Sequence, residues 1–390
     1  MRLTSIRRAV MPSLAAVTAA ILLAPIAVLW APGANALRRH AYHEVVFQWI
    51  VSRLVPATAT PDEIIRAAMD YNRRHLWLVD NQAPYHGKPF DYLVEGIGWC
   101  DYNAKVFCKL LAARGMHARY AFLKDRAGRS PHTIAEVYLQ GKWRAMDPFF
   151  NLTYADTPGQ YMTLEEVTPE RIARLPELVV LRHADTEFDE SILALAQQVF
   201  PIPMPPQRSD DFLRDRNFFD DLTALYVRCF GDRFVRWYQD QFLRRELATF
   251  SDPVQRLWCQ ARHYHVLGRL DLAEPCYDRL RQLVRAGQAA PYRERVVLFL
   301  SRLLIRERRW EEARNLLEGF VQEKPDARWA HYQLARCCEE FQDFEQTQRH
   351  LRAYQRLHGM KWAVEAARRL AWLTRRERGD RLPPWTLVGI

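Results

Sequence analysis

The apolar positions of the first half of the chain predict one helix that opens on a cysteine. Between 100 and 114, apolar side chains recur every three or four residues, and Gly115 follows as a natural helix stop. Gly96 and Gly98 interrupt the pattern just before this stretch. Cys100 is therefore expected at or beside the helix N-terminus, where unpaired N–H groups and the helix dipole stabilise an anion.

The pattern then changes from helical spacing to that of a β-hairpin. Residues 134–139 and 142–146 each read as a strand, and Gln140-Gly141 between them has the composition of a two-residue turn. This turn fixes the register, which makes His132 and Asp147 diagonal neighbours on one face of the sheet. A slip of one residue would place the two side chains on opposite faces.

Cys100, His132 and Asp147 are the parts of an activated cysteine nucleophile. In such a site the thiolate attacks, the imidazole moves the proton, and the carboxylate orients the imidazole. The plainer interpretation is that a cysteine in an apolar helix is a small buried hydrophobe, and we interpret Cys108 in that way. Glu136, on the strand of His132, is interpreted as part of a solvated strand face.

These motifs resemble those of the transglutaminase-like superfamily, over roughly residues 60–155. The matching pieces are Gly98-Trp99-Cys100-Asp101-Tyr102, Arg114-Gly115-Met116, His132-Thr133 with Glu136-Val137-Tyr138, and Gly141-Lys142-Trp143 with Asp147-Pro148. The resemblance implies an α+β, papain-like core in which the helix carrying the cysteine packs on an antiparallel sheet. It also implies Cys100, His132 and Asp147 as the catalytic residues.

The resemblance is less specific for the reaction than for the fold. Members of this superfamily act as acyl transferases, peptidases or deamidases, and some have no activity. Trp99 stands where many transpeptidating members carry a polar residue. The side chain that would complete an oxyanion hole is therefore open, with Asn81 and Gln82 as candidates.

The carboxy-terminal part predicts paired helices that repeat at about 34 residues, as in tetratricopeptide repeats. Small and large residues recur in three copies: Ala261, Tyr264, Leu270, Ala273 and Tyr277; Ser301, Leu304, Trp310, Ala313 and Leu317; Ala335, Cys338, Phe344, Thr347 and Leu351. The alternative is a generic helical bundle. Repeats of this kind bind a peptide or partner protein in their concave face, so a protein partner is expected here.

The amino terminus has the features of an export signal. Arg2, Arg7 and Arg8 precede an almost uncharged stretch from 9 to 30, and Ala34-Asn35-Ala36 follows as a possible cleavage site. We expect export, either with cleavage or with the segment retained as a membrane anchor through residues 9–30. The protein is then periplasmic, or anchored and facing the periplasm or the exterior.

The charge and cysteine content of the chain indicate which partners and cofactors to expect. The net charge is +10 over 390 residues, but arginine is spread among acidic residues without a long basic block, so nucleic acid is not expected. The seven cysteines leave at least one thiol free if the others pair. No Cys-x-x-Cys pair or histidine cluster has the spacing of a metal site, so no metal or other cofactor is expected.

The sequence thus predicts four parts: a signal or anchor (1–36), a transglutaminase-like catalytic domain (37–155), a linker and helical extension (156–252) with a stiff boundary at Pro201–Pro206, and helical repeats (253–378). The expected function is hydrolysis or acyl transfer at amide bonds of a protein or peptide substrate, with peptidase or deamidase activity favoured over cross-linking. The alternative is a non-enzymatic scaffold for envelope or polysaccharide assembly, in which the catalytic fold has lost its activity.

Overall fold

The computed structural model describes residues 18–20, 23–76, 87–96, 98–149, 152–157, 160–172, 202, 204–358, 370 and 373. Its contacts divide the chain into two compact units, each assembled from several segments. The first comprises Met1–Ala68, Cys108–Ala118 and Asp210–Ser251, and the second Met69–Phe107, Arg119–Ser209 and Asp252–Ile390. The domain boundaries expected at 155 and 252 stay a prediction.

Helices dominate the described residues. In chain order they are α1 (Asn35–Leu54), α2 (Pro61–His75), α3 (Pro89–Glu95), α4 (Cys100–Ala113), α5 (Pro169–Ile172), α6 (Phe218–Glu246), α7 (Pro253–Val266), α8 (Leu270–Arg285), α9 (Arg293–Arg306), α10 (Trp310–Glu323), α11 (Arg328–Glu340) and α12 (Phe344–His358). The strands are β1 (Ala118–Lys124), β2 (His132–Leu139), β3 (Lys142–Asp147), β4 (Leu152–Thr153), β5 (Ala155–Thr157), β6 (Gln160–Tyr161) and β7 (Met204–Arg208).

The predicted hairpin is present with the predicted register. β2 and β3 pair antiparallel, with Leu139 opposite Lys142 and Ala135 opposite Met146. Gln140 and Gly141 both have positive φ, 51° and 79°, which is the backbone twist that a two-residue hairpin turn needs. The hairpin lies in a five-stranded sheet of order β4-β3-β2-β1-β7.

Part of the stretch predicted to be a stiff linker is a strand instead. Met204–Arg208 forms β7, which pairs antiparallel with β1 at the edge of the sheet. Proline lacks a backbone N–H, and an edge strand tolerates it because one side of the strand needs no partner. The prolines at 205 and 206 therefore mark a sheet edge and not a stiff linker, whereas 201 and 203 lie outside the described residues.

The interpretation of Glu136 as a solvated residue is wrong. Its carboxylate is buried, with the residue 1% exposed. Arg119 on β1 donates to Glu136 Oε2 at 3.0 Å, and Arg208 on β7 donates to the same oxygen at 2.7 Å. Two arginines from neighbouring strands thus offset the cost of burying this charge, and they fasten the edge strand to the sheet.

The helix that carries the cysteine begins and ends as predicted. Cys100 is its first residue, and Ala104, Phe107 and Leu111 on one side are fully buried. At the other end Gly115 has a φ of 78° and its N–H donates to Ala112 O at 3.0 Å. This is the left-handed stop that glycine makes without steric cost.

In the first unit the long helix α6 packs on α1. Tyr42 and Phe242 stack with ring centroids 4.0 Å apart, and the hydroxyl of Tyr238 donates to Pro25 O at 2.8 Å. Gly231, with φ 54° and ψ −142°, breaks α6 into two segments. None of the helices among the described residues combines the length and apolar character needed to cross a bilayer.

Beyond residue 252 the described chain is all helical, as expected. Helices α7 to α12 follow one another and each packs on the next. A shared core contains Trp258, Phe299, Leu317 and Leu334. The assignment of these helices to tetratricopeptide repeats stays a prediction.

Candidate active site

The hairpin brings the predicted imidazole and carboxylate into contact. His132 opens β2 and Asp147 ends β3. His132 Nε2 lies 2.6 Å from Asp147 Oδ2, and both residues are buried. The ring of His132 also lies near Phe149, with centroids 6.1 Å apart. The register that the turn imposes is therefore sufficient to form this pair.

Two further donors hold the Asp147 carboxylate in place. The hydroxyl of Tyr154 donates to Oδ2 at 3.1 Å, and the backbone N–H of Phe149 donates to Oδ1 at 3.1 Å. Oδ2 therefore accepts from both His132 and Tyr154. A buried carboxylate with these partners has its charge compensated and its orientation fixed.

The electrostatics of the pair favour the charged imidazole. Burial by itself would lower the pKa of His132. The negative charge and hydrogen bond of Asp147, joined by a hydrogen bond with Cys100, outweigh burial and raise the pKa to about 10. At neutral pH His132 is then an imidazolium that donates from Nε2 to Asp147, which leaves Nδ1 for the thiol.

Cys100 lies where a nucleophile can be both stabilised and reached. Its thiol hydrogen-bonds with His132, and the residue is partly exposed. As the first residue of α4 it is surrounded by N–H groups that have no partner within the helix. A helix N-terminus and an adjacent imidazolium both favour a thiolate. Trp99, beside it, is 38% exposed.

Asn103 holds the turn that precedes Cys100. Its Nδ2 donates to Gly98 O at 3.1 Å and to Trp99 O at 3.0 Å. Asn72 on α2 in turn donates to Asn103 O at 2.6 Å. A Cβ on Gly98 would lie 2.5 Å from Asn103 Nδ2 and 2.6 Å from Leu76 Cβ, so this close approach requires glycine.

A second set of contacts on the same segment comes from the helices beyond residue 252. Arg262 on α7 is 2% exposed. Its Nε donates to Val94 O at 2.7 Å and its Nη2 to Leu93 O at 2.8 Å, which caps the last turn of α3. The guanidinium also stacks on the ring of Phe299, 3.5 Å from the centroid. Phe299 fills the space that a side chain at Gly96 would need.

The structure thus joins Cys100, His132 and Asp147, the three residues that the sequence predicted to act together. Sequence reasoning missed Tyr154 and Arg262. Neither carries a local signal, because a tyrosine after a hairpin and an arginine in an amphipathic helix are both ordinary. Asn81 and Gln82, the candidates for an oxyanion-hole side chain, lie outside the described residues.

Comparisons with known proteins agree with this geometry. Residues 48–148 match the family model of the transglutaminase-like superfamily, which covers the helix of Cys100, the strand of His132 and Asp147. No curated protein matches the chain, and no solved structure matches it. The chain therefore contains a transglutaminase-like domain at residues 48–148, and an all-helical region follows it.

Proposed function

We propose that the chain is a cysteine-dependent enzyme that cleaves amide bonds of a protein or peptide substrate. The observation that carries the proposal is the position of His132, between the Cys100 thiol and the buried Asp147 carboxylate. An imidazole held in this way can stabilise a thiolate on one side while the carboxylate fixes its orientation on the other.

The chemistry follows from these positions. The Cys100 thiolate attacks the amide carbonyl carbon, and N–H groups at the start of α4 hold the resulting oxyanion. His132 donates its proton to the leaving amine as the C–N bond breaks, which leaves a thioester on Cys100. Water then attacks the thioester and gives its proton to His132, which releases the acid and restores the thiolate–imidazolium pair.

Water is the favoured second nucleophile. Hydrolysis gives peptidase or deamidase activity and needs no binding site for a second amine. A cross-linking enzyme must also bind the acceptor amine close to the thioester. The proposal therefore places hydrolysis ahead of transamidation.

We also propose that the enzyme works outside the cytoplasm. The support is the basic start of the chain, the almost uncharged stretch from 9 to 30, and the Ala34-Asn35-Ala36 sequence after it. In the same way, the all-helical region is proposed to contact a partner protein.

Thiol labelling tests the nucleophile. The intact chain would be treated with limiting iodoacetamide at neutral pH, and the rate at each cysteine measured by peptide mass spectrometry. Cys229 is exposed and serves as the internal reference for an accessible thiol, and buried Cys108 serves as the reference for a protected one. Although it is only partly exposed, Cys100 should label faster than both.

The variant His132→Ala should remove this advantage, because the thiolate loses its cationic partner. Cys100 would then label no faster than Cys229, while Cys229 keeps its rate. If Cys100 of the unmodified protein labels at or below the rate of Cys229, the nucleophile assignment is wrong. That result would favour the alternative of a scaffold with a retired catalytic fold.

A further inference from the structure

A second cluster of polar side chains lies in the first unit and contains no residue of the Cys100 site. His40 and Glu44 lie one turn apart on α1, and Asp220 lies in the first turn of α6. His40 Nε2 is 2.6 Å from Asp220 Oδ1. One nitrogen or oxygen of each of the three residues lies within 4.8 Å of the others.

One oxygen of this cluster lacks a partner. The side chain of Glu44 is 1% exposed, and Lys109 on α4 forms an ion pair with its Oε1. Glu44 Oε2 is also buried but has no hydrogen-bond partner in the part of the chain that the structure describes. A buried carboxylate oxygen without a partner is costly, so native proteins rarely leave one unsatisfied.

The other two ligand atoms of the cluster, Asp220 Oδ1 and His40 Nε2, face each other. Asp220 Oδ2 accepts the backbone N–H of Asn217 at 3.2 Å, which leaves Oδ1 facing His40. The side chain of Asp220 is 1% exposed, whereas that of His40 is 31% exposed. The cluster is therefore buried on the carboxylate side and open on the imidazole side, which gives an ion a path of entry.

We propose that His40, Glu44 and Asp220 bind a divalent transition-metal ion of the Zn²⁺ type. One imidazole and two carboxylates are ligands that Zn²⁺ accepts, and water can supply the fourth. Mg²⁺ and Ca²⁺ favour six or more oxygen ligands and are a poorer match. The Asn217 N–H and Lys109 hold the carboxylate oxygens that the metal does not use, as outer-shell partners do in metal sites.

A protonated His40 paired with Asp220 is the competing explanation. It accounts for the contact between those two side chains. It also balances the charge, because Lys109 neutralises the carboxylate of Glu44 and a protonated His40 would neutralise that of Asp220. It does not supply a partner for Glu44 Oε2, however, whereas a metal ion bound through this oxygen would do so. Glu44 Oε2 is therefore the atom that distinguishes the two explanations.

A bound ion would join α1 to α6. Both helices belong to the first unit, as does Lys109, which forms an ion pair with Glu44. Because no such site exists in the unfolded chain, binding would add directly to the stability of the folded state. The proposed site is structural in this sense and needs no role in cleavage.

The test uses the intact, untagged chain after treatment with EDTA. Zn²⁺ would be titrated by calorimetry and its effect on the melting temperature recorded, with Mg²⁺ in parallel. We expect one Zn²⁺ to bind and raise the melting temperature, and Mg²⁺ to do neither. Co²⁺ would serve as a spectroscopic probe, because its absorption separates nitrogen and oxygen ligands from the free thiols of the chain.

Glu44→Gln keeps the size of the side chain and removes the ligand charge. Its loss of affinity should exceed the roughly 10- to 100-fold cost of losing an outer-shell partner. His43→Gln, at the neighbouring position, is the matched control and should bind as the unmodified chain does. Should Glu44→Gln fail to fold, His40→Gln at the more exposed ligand should show the same loss. Unchanged affinity in these ligand variants, or a melting temperature that Zn²⁺ does not raise, would overturn the proposal.

Discussion

The imidazole and the thiol of the candidate site are held in place by different kinds of structure. His132 and Asp147 are 15 residues apart and meet through the register of one hairpin. The turn before Cys100 is held by Asn103, whose carbonyl accepts from Asn72 on α2. The end of α3, which precedes that turn, is capped by Arg262, whose acceptor Val94 is 168 residues away in sequence. Half of the site is thus specified locally, whereas the other half requires helices from distant parts of the chain.

The difference bears on how the chain can be divided. An isolated hairpin carries the information for the His–Asp pair. The end of α3 and Gly96, which precede Cys100, also contact Arg262 on α7 and Phe299 on α9. The all-helical region therefore contacts the element that directly precedes the nucleophile.

The largest expected effect comes from disrupting the contact between His132 and Asp147, which the hairpin forms locally. Asp147→Asn keeps the shape of the side chain but removes the charge that holds His132 protonated and oriented. By analogy with other triads, cleavage should fall by about 10⁴-fold while the fold survives. Activity would be measured as hydrolysis of a peptide library by mass spectrometry, and the fold by thermal unfolding.

Asp101→Asn is the matched control for that variant. Asp101 lies next to the nucleophile but pairs with Lys105, at 3.2 Å, and not with the imidazole. Its activity should change only a few-fold. Near-full activity in Asp147→Asn would show that the His132–Asp147 contact does not serve catalysis.

The next largest effect is expected at Arg262, which contacts the end of α3 from a distant part of the chain. Arg262→Met leaves the carbonyls of Leu93 and Val94 buried without their donor, and should cost about 3 kcal/mol of unfolding free energy. It should also slow the labelling of Cys100 in the folded protein, because the loop before the cysteine loses its support. Urea denaturation and iodoacetamide labelling measure the two effects.

Arg295→Met provides the comparison for Arg262. Arg295 also reaches the end of α3, where it pairs with Glu95 at 2.9 Å, but both side chains are about a quarter exposed. Partly exposed pairs contribute no more than about 1 kcal/mol. Equal losses in the two variants would mean that the buried cap is not what holds the loop.

The features that could be predicted from the sequence are those that depend on local contacts. The start of α4, the hairpin and its register depend on spacing within a few residues, and all three were predicted. The pairing of His132 with Asp147 follows from that register. These features are accessible because hydrophobic period and turn chemistry are local properties.

The features that sequence reasoning missed depend on contacts between distant segments. The burial of Glu136 has no local signal, because its partner Arg208 lies on a strand whose prolines suggest a linker. Arg262 has backbone carbonyls as its acceptors, and carbonyls leave no signature in a sequence. The cluster of His40, Glu44 and Asp220 likewise forms only when α1 meets α6.

The pH dependence of stability provides a further test of the contact between His132 and Asp147. The pKa of His132 is raised in the folded state from an ordinary value of 6.5 to about 10. Its stabilising effect is therefore complete below pH 6.5, declines as the pH rises, and is lost above about 10. Within that window the unfolding free energy should fall by up to about 1.4 kcal/mol per pH unit.

The variant Asp147→Asn isolates this contribution. Without the carboxylate the pKa of His132 is no longer raised, so the decline between pH 7 and 9 should be shallower than in the unmodified protein. Other titrating groups contribute equally to both proteins and cancel in the difference. Parallel slopes from urea denaturation across this range would show that His132 is not held charged by Asp147.

The smallest expected effect separates the two donors to Asp147 Oδ2. Tyr154→Phe keeps the buried ring but removes the hydroxyl that donates to Asp147 Oδ2 at 3.1 Å. We expect a loss of about 1 kcal/mol in unfolding free energy, the usual size of one hydrogen bond. Labelling of Cys100 should change little, because His132 still has its contact with the carboxylate.

Tyr161→Phe is the control, since Tyr161 is also buried and accepts from Arg144 through its backbone carbonyl, which the substitution leaves in place. It should be close to neutral in stability. A large fall in Cys100 labelling in Tyr154→Phe alone would mean that the hairpin register is insufficient to orient His132. The orientation of His132 would then depend as much on Tyr154, seven residues from Asp147 along the chain, as on the pairing of the two strands.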